Sequence, residues 1–511
     1  MLILVHNNGF VNSILDEGLK PISIVEVGHS VTKTLQLIAA NNSETLVVWC
    51  HQMILSHLDI NALDDIFHHR RVFASFNPTD TEYLPKQLGY VERSFAVNIN
   101  KTVTYPTWLM SSYVGGINTA VIKKLGNNIK TNQCLDYYLT SIAKLGTTEG
   151  LFCYSEPKLL KTRRPEITAC KTASTAVLFK FVRQHYKWVW VFFLSFGYLV
   201  FEKRITLFLL IKSFFIKQLK LSFDLERIPI TSTKTLLKEK TIDVIIPTIG
   251  RKQYLYDVLK DLSVQSILPK TVIIVEQNSL EGSISELNYI HDYKWPFAIK
   301  HTFTHQSGVC NARNIALQQV ESEWVFFADD DIRFNTNFFQ DSFSEIAKYG
   351  ASVLNYLCLQ PQQKQTYFKT HQTSVFGSGS SMVKTTALNG LRFNLSYEFG
   401  FGEDTEFGMQ LRNKGNDIIF MPNIKITHLK APIGGYRTKV KQLWDNDSIG
   451  PRPSPTMMLL NQTYFTKTQL LGYKMFLAIR GYKSSASKKP KRYMKNFRKH
   501  WERSLFWSNK L

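Results

Sequence analysis

Three consecutive carboxylates, Asp329, Asp330 and Asp331, close the apolar stretch "EWVFFADDD" at 323–331. A run of that length, rich in β-branched and aromatic residues, predicts a buried strand. Negative charges gathered at a strand's end cost free energy unless something positive faces them. A divalent cation is the usual answer, and oxygen ligands favour magnesium or manganese, which in turn hold diphosphates. Solvated turns produce the same triplet, so its company decides between the two readings.

Upstream, "TIDVIIPTIGRKQYLYDVLKDLSVQS" predicts a strand ending in Pro247 and Thr248, then Arg251 and an amphipathic helix. "PKTVIIVEQNS" predicts a second strand, ending in Glu276, Gln277 and Asn278. "SGVCNARNIALQQVESEWVFFADDD" runs a helix bearing Arg313 into the carboxylates. Downstream, "VFGSGSSMVKTTALNG" supplies small residues at 375–390, "FGEDTEFGMQLRNKG" places Glu403 and Asp404 just before a helix, and "IIFMPNIKITHLK" ends near His428. An acid pair at a helix start suits the helix dipole; it equally suits a base that takes a proton from an attacking hydroxyl.

In this order, over 241–435, the series resembles the catalytic domain of inverting family 2 glycosyltransferases with the GT-A fold, of the bacterial surface-polysaccharide type. The resemblance implies a nucleotide-sugar site built from Pro247, Thr248, Arg251, Glu276, Asn278, Arg313, Asp329 and Asp330. Where the family usually has Asp, this chain has the longer Glu276. It implies Asp329 and Asp331 as an Asp-x-Asp pair, with Asp329 toward the ribose and Asp331 on a Mn2+ or Mg2+ ion that His428 helps to hold. It implies Asp404 as the catalytic base and Glu403 as the group orienting the acceptor, the two roles being exchangeable. Arg313 is either a phosphate or loop partner or a structural ion pair. The 375–390 segment is either an acceptor-side loop, whose glycines let backbone approach a sugar, or a plain turn.

The elements that must position these groups read as α/β with a mostly parallel sheet, whose ligands sit beyond the C-terminal strand ends. At 511 residues, more than one domain is expected. The division is 1–170, an α/β domain without catalysis; 171–239, a basic aromatic helical segment; 240–440, the GT-A domain; and 441–511, a basic helical tail. Within the first 160 residues "SETLVVWCHQMI", "SSYVGGINTAVIKKLG" and "TEGLFCYSEPKLL" repeat the rhythm of the second half, with Cys50, His51 and Gln52 where the aspartates would stand. That predicts a degenerate GT-A-like domain without metal chemistry, or an independent α/β domain, with His51 in a loop.

The formal net charge is +22. Residues 161–240 hold sixteen Lys or Arg against five Asp or Glu, and 474–511 hold twelve against one, so these two blocks carry the whole excess. Such blocks seek a polyanionic surface. Between Lys187 and Lys220 lies "KWVWVFFLSFGYLVFEKRITLFLLIKSFFIKQLK", whose longest uncharged run, 188–201, is short of the roughly 20 residues a bilayer span needs. It predicts a helix or hairpin dipping into one leaflet, its basic flanks on anionic headgroups; a buried helix pair and a true transmembrane span are the alternatives. Nucleic acid would need only the charge, so it is not the expected partner.

The six cysteines, Cys50, Cys134, Cys153, Cys170, Cys310 and Cys358, show no CxxC spacing, which fits reduced thiols. "MLILVHNNGF" lacks the features of a secretory signal. The expected function is therefore sugar transfer from a nucleotide-sugar donor to a glycan or lipid-linked acceptor at the cytoplasmic face of a membrane. A glycan-binding or assembly protein without catalysis, or a nucleotidyltransferase, would be the alternatives; the latter is disfavoured by "PTIGRKQ", which has one glycine where a phosphate loop needs several.

Overall fold

Two α/β units make up the chain in the computed structural model: Met1–Thr233 with Asn461–Phe497, and Lys234–Leu460 with Arg498–Leu511. The described residues are all except 23–27, 43, 126–128, 131–132, 164, 166, 168–170, 221–223, 433–439 and 486–488. Cys170 lies outside them, and the other five cysteines form no disulfide.

The second unit is built on nine strands: β8 (Ile242–Thr248), β9 (Thr271–Gln277), β10 (Ala298–Thr304), β11 (Trp324–Ala328), β12 (Ile332–Arg333), β13 (Val353–Leu359), β14 (His371–Thr373), β15 (Ser380–Lys384) and β16 (Ile418–His428). They order as β10-β9-β8-β11-β15-β13-β16-β12, with β14 on β16. The apolar runs of β8, β9 and β11 are buried along their whole length, as strands covered on both faces must be. These strands and β10 run parallel, so Thr248, Gln277 and Ala328 finish on one edge of the sheet. Buried Asp243 fixes the opposite end of β8, accepting from the Glu321 and Ser322 N–H groups at 2.7 and 2.9 Å.

The first unit has seven strands: β1 (Leu2–Asn7), β2 (Phe10–Leu15), β3 (Leu46–His51), β4 (Val72–Phe76), β5 (Tyr105–Pro106), β6 (Val114–Asn118) and β7 (Phe152–Ser155), ordered β2-β1-β3-β6-β4-β7-β5. From β1 onward, β1-β3-β6-β4-β7-β5 matches β8-β11-β15-β13-β16-β12 pair by pair. Each corresponding pair is parallel or antiparallel alike. The first half thus has a GT-A-like sheet too, as its rhythm suggests. His51 is the last residue of β3 rather than a loop histidine, its ring packed edge-on against His6.

Two segments differ from their sequence picture. The aromatic basic segment forms helices Thr175–His185, Val189–Phe201 and Leu207–Phe214, whose inner residues join the first unit's core. Among the described residues, no helix is long and apolar enough to cross a membrane. The tail is not a separate appendage either. Its helix Lys467–Lys483 packs on Lys86–Tyr90 so closely that a Cβ on Gly472 would lie 2.6 Å from the Gly89 and Tyr90 carbonyl oxygens.

Candidate active site

The three aspartates leave β11 and diverge. Asp330 turns under the sheet edge, 2% exposed, where Thr248 donates to it at 2.7 Å and Arg251 pairs with it at 2.5 Å. Burial pushes its carboxyl up to about 6, against the pull of Arg251 and Thr248. Asp330 is thus the anchor that holds the end of β8 and Arg251 in place. Arg251, expected at the nucleobase or ribose, also lies 3.5 Å from Asp331.

Asp331 is buried beside His428, its carboxylate 3.1 Å from Nε2, and accepts from the Ala431 N–H at 2.8 Å. Burial alone would raise this carboxyl. His428, the Ala431 N–H and Arg251 outweigh burial and keep it below the ordinary carboxylate range. The contact exists because β12 pairs antiparallel with β16, Ile332 facing His428, and because the Leu429 N–H donates to the Asp331 carbonyl at 2.8 Å.

Asp329 points outward, about a third exposed, and receives Arg313 at 3.2 Å. Of the two readings of Arg313, the structure places it in an ion pair within the site, its guanidinium also 5.4 Å from the centre of the Phe393 ring. Asp329, Asp331 and His428 each offer a ligand atom, and these lie within 4.8 Å of one another. Among the described residues this is the one such cluster. Two carboxylates and an imidazole form a donor set that fits a divalent cation.

A cleft lined by Thr248, Gly250, Arg251, Lys252, Glu276 and Asn278 adjoins this cluster. Thr248 reaches it through the parallel register of β8 with β9, facing Glu276, whereas Pro247, expected beside it, is buried one residue earlier opposite Val275 and does not line the cleft. Glu276 is engaged from within: His301 stands 3.0 Å from one carboxylate oxygen and the Glu286 N–H donates to the other at 3.1 Å. Burial opposes its ionisation, but His301, Ser285 and the Glu286 N–H hold its carboxyl below the usual value. The longer side chain therefore tethers the 285–287 segment as well as facing the cleft. Asn278 shapes its own turn, accepting from the Leu280 N–H at 3.0 Å.

Glu403 and Asp404 open the helix Glu403–Asn413, entered through Gly402 at φ +108°, a backbone angle that favours glycine. Asp404 accepts from the Ser378 N–H at 3.2 Å and from the Ser378 hydroxyl, both on Oδ1. One residue on, a Cβ on Gly379 would stand 2.1 Å from an Asp329 carboxylate oxygen, so a larger residue there would have to displace that carboxylate. The small-residue loop is thus neither a plain turn nor only an approach surface. It bonds Asp404 through Ser378 and lies against the Asp329 carboxylate at Gly379.

Ser378, Gly379, His301 and Glu398 escaped the sequence reading as individual residues. Glu398 accepts from the Cys310 and Asn311 N–H groups at 3.1 and 2.8 Å, at the start of the helix Val309–Leu317 that carries Arg313. Burial raises its carboxyl. It fixes one end of the loop whose other end is the Glu403–Asp404 pair. The "GSGS" run was the available signal for Ser378 and Gly379; nothing in sequence pointed to His301 or Glu398.

Comparison with known proteins bears on this geometry. Residues 243–402 match the family model described as Glycosyl transferase family 2. A poly(ribitol-phosphate) beta-N-acetylglucosaminyltransferase, TarS, of Staphylococcus aureus is 29% identical over 114 residues, 22% of this chain and 20% of that protein. The match thus spans about a fifth of the curated relative's length. Among solved structures, S. aureus TarS 1–349 in complex with UDP-GlcNAc is 18% identical, covering 50% of this chain and 79% of that one at TM-score 0.37. GalNAc-T7 with UDP, GalNAc and Mn2+ is 12% identical, covering 50% and 55% at TM-score 0.38. The matched segment spans β8, β9, β11 and β15 and stops just before the Glu403–Asp404 pair, so the C-terminal half of this chain carries a family 2 glycosyl transferase domain.

Proposed function

We propose that this chain is an inverting, metal-dependent glycosyltransferase that moves a sugar from a nucleotide-sugar donor to a glycan or lipid-linked acceptor in surface-polysaccharide synthesis, at the cytoplasmic face of a membrane. One observation carries the reading: the loop that bonds the Asp404 carboxylate through Ser378 lies, one residue on at Gly379, against Asp329 of an acidic, imidazole-bearing cluster. A bare strand-end triplet would need no such link. The relative matched over 114 residues is named for transfer of N-acetylglucosamine to poly(ribitol phosphate), which supports sugar transfer to a polymer.

The donor's nucleoside lies in the cleft of Thr248, Arg251, Glu276 and Asn278, with Pro247 and Asp330 fixing its floor. Asp329, Asp331 and His428 would hold Mn2+ or Mg2+, the imidazole favouring the softer Mn2+. Bound there, such an ion would neutralise charge on the leaving diphosphate. Arg313 keeps Asp329 oriented toward the cluster. Because both bonds from Ser378 fall on Oδ1 of Asp404, Oδ2 is left to take the proton of the acceptor hydroxyl as it attacks the anomeric carbon. Glu403 orients that acceptor. Attack from the face opposite the diphosphate inverts the anomeric configuration.

The test is release of nucleoside diphosphate from a panel of sugar nucleotides with Mn2+ or Mg2+, in wild type, Asp331→Ala and Asp404→Asn. Turnover of one donor, lost in both variants and on chelation, is the expected result. Failure to bind any donor under every metal condition would remove the enzyme reading.

A further inference from the structure

The helices Val189–Phe201 and Leu207–Phe214 form a hairpin with two apolar faces. The inner stripe of the first helix, Val191, Leu194 and Tyr198, is buried in the first unit's core, with Gly197 close against the Tyr90 ring. Val189, Phe192, Phe196 and Leu199 recur at helical spacing on the other side and are 39–48% exposed. On the second helix and its flanks, exposure rises to 76% at Phe208, 82% at Ile205 and 85% at Phe215. Internal ties brace the hairpin: the Ser195 and Thr206 hydroxyls lie 2.9 Å apart, and the Phe192 and Phe214 rings are 5.5 Å apart. A surface helix ordinarily turns polar residues to water, so a contiguous outward apolar face of this kind marks an interaction surface.

Charge identifies the occupant. Lys187, Lys203, Arg204, Lys212, Lys217 and Lys220 are all exposed around the face. The single carboxylate between them, Glu202, accepts from Tyr90 and Gln87 at 2.8 and 3.1 Å. A second copy of this chain would bring the same cations against these. We propose that the hairpin lies flat on an anionic lipid surface, its outer aromatic stripe among the acyl chains and its basic rim on the headgroups. The flat orientation follows from Lys203 and Arg204, which occupy the turn. Insertion tip-first, as in a leaflet-dipping hairpin, would carry both charges into the hydrocarbon.

The inference deepens the membrane part of the proposed function and is measured without catalysis. The full-length chain is floated with phosphatidylcholine vesicles, with and without phosphatidylglycerol, as wild type, Phe208→Glu/Phe215→Glu and Lys203→Ser/Arg204→Ser. Sedimentation at two concentrations and circular dichroism accompany each sample. Wild type should float with the anionic vesicles, and each double variant should lose at least about tenfold in vesicle affinity with its fold unchanged. Equal flotation of the aromatic variant would overturn the proposal. So would absence of wild-type binding to anionic vesicles, or a concentration-dependent dimer that the aromatic substitutions disperse. Flotation with no donor bound under any metal condition would leave this inference standing and remove the transferase reading; nucleotide release without flotation would do the reverse.

Discussion

The two sheets share six strands in the same order and sense, yet among the described residues only the second ends in a cluster that could hold a metal ion. Strand register aligns Ser112 with Ser378, Tyr113 with Gly379, and His51 with Asp329, since β6 pairs β3 as β15 pairs β11. The helix Leu135–Gly146 carries Asp136 at its second position, as Glu403–Asn413 carries Asp404. Asp136 accepts from the Ser112 N–H at 2.7 Å on Oδ1 and from its hydroxyl at 2.9 Å on Oδ2, a serine–aspartate contact like that of Ser378 and Asp404 but one that occupies both carboxylate oxygens. What differs is the ground in front of it. Where Gly379 leaves room for Asp329, the nearly buried Tyr113 ring packs 6.0 Å from that of His51, and Asp136 is 5% exposed with its carboxyl raised by burial. A serine–aspartate contact can therefore serve as a structural tie. Chemistry needs, in addition, an open strand end with charge on it.

The largest effect should come from breaking the two tied aspartates in parallel. Asp404→Asn should lower transfer by about 10³-fold, the scale of a lost general base, with the melting temperature little changed. Asp136→Asn should leave turnover per folded molecule within about twofold and cost about 1–3 kcal/mol, because it disturbs a buried hydrogen-bonded acceptor. Steady-state kinetics and thermal unfolding of both variants check this. Comparable kinetic losses would mean that the first unit takes part in catalysis.

Gly379 offers a more graded test. Gly379→Ala puts a Cβ against the Asp329 carboxylate and should cost about 10²-fold, as a displacement near 1 Å does at a reacting centre. Gly379→Tyr, which installs the first unit's residue, should abolish Mn2+ binding by titration calorimetry. If Gly379→Ala retains wild-type kcat/KM, the loop does not position Asp329.

The smallest effect concerns where each unit keeps its buried charge. Burial opposes ionisation of Glu92, but Lys144 at 2.5 Å, Tyr186 at 2.5 Å and the Ser94 N–H bring its carboxyl down to about 2. A carboxyl depressed in the folded state stabilises above its unfolded value, and the contribution is lost as the pH falls from about 4.5 to about 2. The full contribution is roughly 3 kcal/mol. Glu92→Gln should flatten the acid limb of the first unit's unfolding curve between those values. An unchanged limb would mean that another group governs acid unfolding.

Much of this could be read in the chain before the fold was seen. The strands β8, β9 and β11 are apolar, β-branched runs that can lie nowhere but in a covered sheet, so their polar ends, Thr248, Glu276 and Asp329 to Asp331, must gather at one edge. Glu403 and Asp404 sit where a helix start welcomes acids. Periodicity fixes which face a residue takes and where an element ends, because both follow from local backbone geometry.

Tertiary structure decided the partners. His428 meets Asp331 because two strands distant in sequence pair antiparallel in one register, and a slip of one residue would turn the ring to the other face. Asp330 proved to be an anchor, Glu276 a tether to His301, and Gly379 the gap into which Asp329 fits. The likeness of the two halves surfaced as strand order, while at the equivalent edge the first carries histidine and tyrosine where the second carries aspartate and glycine. Which groups touch depends on long-range register and close packing, and neither is encoded in the local pattern that a sequence displays.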